Sequence, residues 1–341
     1  MLAETTKGII LTILLSLLAI IDIISYCIYL TLLIFLIKKF FKDGKNISKG
    51  FYVLFIFNGI LDLIFITEEY ISFRIPQFGA FKHFYQETFS STIFSGMCYT
   101  YALCQNTYIA FSGITISFNR LYTIKFPLKY THFWKGWKLL ILVIWPFFII
   151  IPIFIIFCTS QVNYEEDEIG RLSAVYVDPH ISTFLWMTTI YLHCASFISN
   201  GILNIILIYT LKTSFKYKSN IDKSFKMDVT MTKYAIIYFL IFSFALSIEI
   251  IETILLTFEE YALANDFLTL TTLCQTLIVF FPPYGLLFLS KDIRRSFFKH
   301  FGIRKFLNIL GFNNVSSVTE IKKVTTPINN INFKRKGQLI I

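Results

Sequence analysis

Apolar positions along this chain gather into seven long runs, at 9–37, 51–71, 93–119, 138–158, 183–211, 233–257 and 266–289, with short polar segments between them. Each run reaches the roughly 20 residues that a helix needs to cross a hydrocarbon layer about 30 Å thick. Backbone N–H and C=O groups in lipid find no water, so such runs satisfy them internally as α-helix. The pattern predicts an all-α membrane protein, a seven-transmembrane helix bundle spanning 9–289, without an internal repeat. After the last run, "SKDIRRSFFKHFGIRKF" alternates charge and aromatic at helical spacing. That predicts a short amphipathic eighth helix within 290–311, lying against membrane lipid. Residues 312–341 are rich in Ser, Thr, Asn and Lys, a composition expected of a disordered tail.

Charge gives the runs a direction. The segments 38–50, 120–138 and 212–233 and the tail from 290 hold 27 of the 31 Lys and Arg residues. Positive residues stay on the cytoplasmic side, so residues 1–8 are expected outside the plasma membrane and the C-terminus inside. The opposite segments carry only Lys7, Arg74, Lys82 and Arg171, together with the acidic stretches "YEEDE" at 164–168 and "FEEYALAND" at 258–266. Two glycosylation sequons, at Asn46 and Asn314, fall on the inner side and are expected to be unused.

Composition narrows the classes further. The chain is 55% hydrophobic and 15% charged, far from a soluble domain. Its net charge of +10 is spread over short segments between spans and not over one basic face, which argues against a nucleic-acid partner. The six cysteines show no CxxC pair and no zinc spacing, so neither metal nor other cofactor is implied. No HExxH, GxSxG or phosphate-binding glycine loop is present, which argues against an enzyme. The first run is too long for a signal h-region and ends in "KKF", so it is expected to remain as a span.

At 117–130 the third run turns basic as "SFNRLYTIKFPLKY". The longer stretch "FNRLYTIKFPLKYTHFW" resembles the end of the third helix and the second inner loop of G-protein-coupled receptors, above all nematode serpentine chemoreceptors of the class-gamma group and related classes. In those receptors an acid-Arg-aromatic triplet, or an Asn-Arg variant, precedes a loop proline. Asn119, Arg120, Lys125 and Pro127 stand at these places. In the same way "NGILDLIF" puts Asp62 where such receptors keep a buried acid, Trp145 fits the fourth-helix tryptophan, and Pro283 in "FFPPYGLLFLSKDIRRSFF" matches the seventh-helix proline. Leu286 stands where tyrosine is commoner. The resemblance spans essentially the whole chain. It implies a chemosensory receptor that binds a small external ligand in the outer bundle and couples to a heterotrimeric G protein, in a sensory ciliary membrane; homo- or heterodimerisation is left open.

The resemblance assigns expectations to particular residues. Arg120 is either an inner-rim anchor or a contact for the G-protein C-terminus. Asp62 is either a sodium- or proton-linked conformational core or a satisfied interhelical hydrogen bond. Glu249 and Glu252, at i and i+3 on one face of the sixth helix, join Asn106, His193 and Gln275 as candidate ligand contacts in an aromatic pocket suited to an apolar or weakly polar ligand. Glu252 alternatively snorkels to the outer interface, and a lone histidine such as His193 alternatively sits satisfied in the core. Many such receptors tie the third helix to the second outer loop by a disulfide; the loop at 159–182 lacks cysteine, leaving Cys98 with Cys158 as the available pair. The chain departs from the family in three respects: Asn119 replaces the acid, the sixth helix lacks Trp-x-Pro, and the fifth lacks its proline. A small-solute transporter and a ligand-gated channel, the latter with a cytoplasmic N-terminus, are the competing classes.

Overall fold

The computed structural model describes residues 2–302 except 44–48, 91, 128, 131–133, 135, 168–169, 218–222 and 259. Residues 303–311, the 312–341 tail, and both sequon asparagines, Asn46 and Asn314, lie outside the described residues.

The first span is the helix Leu2–Asp43. The second, Lys49–Glu69, runs on through a π-helical turn, Tyr70–Arg74, into Ile75–Gln77. The third is Ile93–Lys125, N-capped by the Thr92 side chain. The fourth is a bent pair, Trp137–Ile144 and Phe147–Phe157, with 45° between its halves. The bend follows from Pro146 at the junction, which has no N–H to continue the ladder. The fifth, sixth and seventh spans are Pro179–Tyr217, Lys223–Thr257 and Tyr261–Leu289. A further helix, Lys291–His300, follows at once, capped by Ser290, whose hydroxyl accepts from the Ile293 amide at 3.4 Å. Its Ile293 and Phe297 are buried, with Phe297 edge-on to Phe35 of the first span, 5.5 Å between centroids.

Among the described residues, five single helices and the bent pair are long and apolar enough to cross a membrane. The third helix has the length, 33 residues, but is less apolar than its sequence run suggests. Its position explains this. It packs against the second, fourth, fifth and sixth spans, and 21 of its 33 residues are buried. A helix enclosed by other helices meets little lipid, so Ser, Thr, Asn, Gln and Tyr are tolerated where protein partners satisfy them.

One end of the bundle carries an element that hydropathy does not foretell. Strands β1 (Val162–Glu166) and β2 (Leu172–Tyr176) pair antiparallel, with Val162 opposite Tyr176 and Glu166 opposite Leu172. This hairpin end lies opposite the end marked by Arg120. Gly96, in the first turn of the third helix, is where the chain entering the hairpin passes closest. A Cβ there would overlap the carbonyl oxygen of Ser160 and meet the Cys158 carbonyl oxygen at 3.3 Å. Gly96→Ala is therefore expected to cost about 1–3 kcal/mol by overpacking against backbone, read as a lower melting temperature of the purified protein; an unchanged melting temperature would contradict this close approach.

Candidate functional site

Two contiguous cavities open at the hairpin end. The larger, about 900 Å³, is floored by the second, third, fifth, sixth and seventh spans and roofed by the β hairpin. A narrower lobe of about 70 Å³ continues inward. Phe65, Leu103, Asn106, Trp186, Thr271 and Gln275 line both.

All five candidate ligand residues line these cavities. Asn106 and Gln275 stand at the junction, Glu252 in the outer lobe, and His193 and Glu249 in the inner lobe. His193 Nδ1 lies 2.7 Å from Glu249 Oε2, so the histidine is paired across the fifth and sixth spans. Its Nε2 has no hydrogen-bond partner among the described residues. Glu252 does not snorkel outward: it is buried and accepts a 2.8 Å hydrogen bond from Thr271 of the seventh span. The i, i+3 spacing was sufficient to place both acids on this side of the sixth helix.

The hairpin is fastened by tyrosines. Tyr164 donates to the Ser72 carbonyl at 2.9 Å, and Tyr176 shares a 2.8 Å hydrogen bond with Thr100 while standing edge-on to Tyr99 at 4.7 Å. Burial pushes the Tyr164 and Tyr176 phenols up, keeping both protonated. Arg171 in the hairpin turn bonds Asp167 at 2.7 Å and Thr269 of the seventh span at 3.4 Å, and Lys82 pairs with Glu166. The expected Cys98–Cys158 disulfide is absent; both thiols are free. The reason lies in helical phase. Cys98 packs with Tyr85 and Tyr99, whereas Cys158 passes Gly96, two residues and about 200° away around the helix, and turns its Sγ toward the Ile155 carbonyl. Reducing agent is therefore expected to leave thermal stability unchanged, while Tyr164→Phe and Tyr176→Phe each cost about 1 kcal/mol, measurable as separate shifts in melting temperature. A drop on reduction would reinstate the disulfide.

The sequence reading missed a buried ionic cluster below the hairpin. Arg74 bonds Glu69 at 2.7 Å and Thr276 of the seventh span at 3.0 Å, pairs with Asp22 of the first, and lies over the Tyr70 ring. Tyr70 donates to the same Asp22 oxygen at 2.8 Å. Arg74 is only 2% exposed. An acid mid-span in the first run and an arginine just past the second were visible separately, but the π-turn that aims Arg74 inward was not.

Deeper in the bundle, Asp62 accepts a 2.8 Å hydrogen bond from Tyr29 and borders a small cavity with Asn58, Ser112 and Pro282. Trp145 donates from Nε1 to Thr115 at 2.8 Å and stands edge-on to Phe111. Pro283 is buried within a continuous seventh helix.

At the other end the third helix closes on Phe51. The Arg120 guanidinium sits 4.7 Å from the Phe51 ring centroid, and the residue is 2% exposed. Asn119 is wholly buried, and neither of its side-chain polar atoms has a hydrogen-bond partner among the described residues. Lys125 and Pro127 are exposed, Lys125 resting over Phe126. Between Arg120 and the inner lobe, Ser117, Asn200 and Asn204 form a buried network, Ser117 donating to Asn200 at 2.7 Å and Asn204 to Ser117 at 3.0 Å. Thus the structure separates the candidate residues into an outer set around the cavity and a closed inner set around Arg120.

No curated protein matches the chain. The family described as serpentine type 7TM GPCR chemoreceptor Srv matches residues 18–303, from the middle of the first span to just past the final described helix. With that match over most of its length and the helix bundle described above, the chain belongs to the Srv family of serpentine seven-transmembrane G-protein-coupled chemoreceptors.

Proposed function

We propose that this receptor binds a small external molecule in the hairpin-end cavity and activates a heterotrimeric G protein at the Arg120 end, with the N-terminus outside the plasma membrane. The observation that carries the reading is the 900 Å³ cavity walled by the third, fifth, sixth and seventh spans, the helices that also run to the closed Arg120 end. The orientation rests on the basic segments: they flank the Arg120 end, while the acidic hairpin marks the other. A ligand bridging the fifth, sixth and seventh spans near Glu252 and His193 favours one relative placement of those helices. Activation is then a shift in population toward an arrangement with the Phe51–Arg120 contact parted, and its size is limited by the ligand's differential affinity for the two arrangements.

The test uses the full chain in lipid nanodiscs with purified heterotrimeric G proteins, measuring guanine-nucleotide exchange. Exchange above the empty-nanodisc rate supports the reading; none with any G-protein class, in a folded sample, opposes it. Glycosylation tags placed at the N-terminus and in the 212–232 segment read the orientation: modification only at the N-terminus agrees, and modification only in the loop inverts the chain and favours the channel class.

A further inference from the structure

The outer cavity has a one-sided charge. Glu69, Glu165, Glu166, Asp167 and Glu252 line it, and among the described residues no lysine or arginine does. Three of these carboxylates are compensated from behind, Glu69 by Arg74, Glu166 by Lys82 and Asp167 by Arg171. Glu165 and Glu252 have no cationic partner among the described residues. Glu165 shares a strand face with Asn163 toward the cavity, because Val162 and Tyr164 on the alternate face are buried. Glu252 is 4% exposed, with Thr271 as its hydrogen-bond donor.

A buried carboxylate without a counterion is costly as an anion, so it is held either as the neutral acid or against a positive charge supplied from elsewhere, and a cation entering the cavity draws out the charged form. A second, independent feature points the same way. Gln77, 7% exposed and lining the same cavity, holds a side-chain oxygen with no donor among the described residues. An acceptor lacking a donor complements an ammonium or amidinium N–H. The aromatic lining fits as well, since Tyr99, Tyr176 and Trp186 border the same cavity as Glu252 and aromatic rings attract cations. Inward the lining gains the apolar side chains of Phe242, Leu246 and Ile278, which surround the His193–Glu249 pair.

We propose, resting on the receptor reading above, that the ligand is a small organic cation with an apolar body: its ammonium group in the outer lobe against Glu252, with Glu165 adding long-range attraction, and its hydrocarbon part in the inner lobe. Uncharged or anionic molecules of the same size meet the apolar lobe but leave Glu252 uncompensated, or place two negative charges together.

The test is calorimetric titration of the full chain in phosphatidylcholine nanodiscs with hexylammonium, 1-hexanol and hexanoate as probes. Hexylammonium is expected to bind at least about tenfold more tightly than either, and Glu252→Gln to remove about that factor, some 1.4 kcal/mol, while leaving hexanol unaffected. Glu165 is exposed on the hairpin, so its variants report even where Glu252→Gln fails to fold; Glu165→Gln is expected to weaken the cation about threefold and Glu165→Lys by more. Equal or tighter binding of hexanol or hexanoate, cation affinity indifferent to these substitutions, or absence of cation binding overturns the proposal. Ligand-independent nucleotide exchange separates the two readings. Exchange without cation selectivity removes only the cation, and cation binding without exchange removes only the G-protein coupling.

Discussion

Arg74→Met is expected to destabilise the bundle by about 3–5 kcal/mol, the cost of leaving buried charges without their counterion. Arg74 is the single cation of its cluster, facing Asp22 and Glu69, both buried, and it joins the first, second and seventh spans. Methionine fills a similar volume, so the loss is electrostatic and not a cavity effect. Arg74→Lys is expected to recover only part, because a point charge cannot give Nη1 to Asp22 and Thr276 while giving Nη2 to Glu69. The triple change Asp22→Asn, Glu69→Gln, Arg74→Met removes all three charges and is expected to regain most of the stability. The measurement is the melting temperature of the detergent-solubilised protein by fluorescence-detected gel filtration. An Arg74→Met protein as stable as the parent, or a triple variant no better than the single one, would sink the assignment.

Arg120→Ala is expected to abolish nucleotide exchange while leaving folded yield near that of the parent. The side chain is buried and lies over the Phe51 ring, so a partner reaches it only in an arrangement where that contact has parted. The contact contributes about 0.5–2 kcal/mol to the closed arrangement. At 1.4 kcal/mol per decade, this corresponds to a roughly two- to thirtyfold bias in the closed-to-open ratio. Phe51→Leu therefore gives the opposite phenotype, raised ligand-independent exchange, since it removes that contact while keeping Arg120. Two effects of opposite sign from two touching residues distinguish a switch from a topological anchor. Full exchange in Arg120→Ala returns Arg120 to the anchor role, and unaltered basal exchange in Phe51→Leu removes Phe51 from the switch.

The departure at Asn119 bears on this switch. Asn119 stands where the family has an acid, and the folded chain leaves the Asn119 carboxamide unpartnered among the described residues while Arg120 lies on an aromatic ring of the second span. The ring was visible in the sequence only as one apolar residue among many. Similarly, the five outer candidates were chosen for being polar residues in apolar runs, and they do converge on one cavity, because a polar group in a span is driven to face the bundle. Their partners were not legible. Nothing local connects His193 with Glu249, or Glu252 with Thr271.

That contrast has a physical origin. Span number, the direction of charge and the arginine motif follow from properties that add up locally: the transfer free energy of about 20 successive residues, the sign of the loops beside them, and a short string of side chains. Neighbours elsewhere in the chain change these little. Pairings inside the bundle depend on the rotation of each helix, and one residue of phase turns a side chain by about 100°. The π-turn at Tyr70–Arg74 changes that phase and sends Arg74 toward Asp22, and two residues of phase keep Cys98 from Cys158. The hairpin, too, forms where Tyr164 and Tyr176 find Ser72 and Thr100 beneath them, partners more than 70 residues away that only the assembled bundle brings within reach.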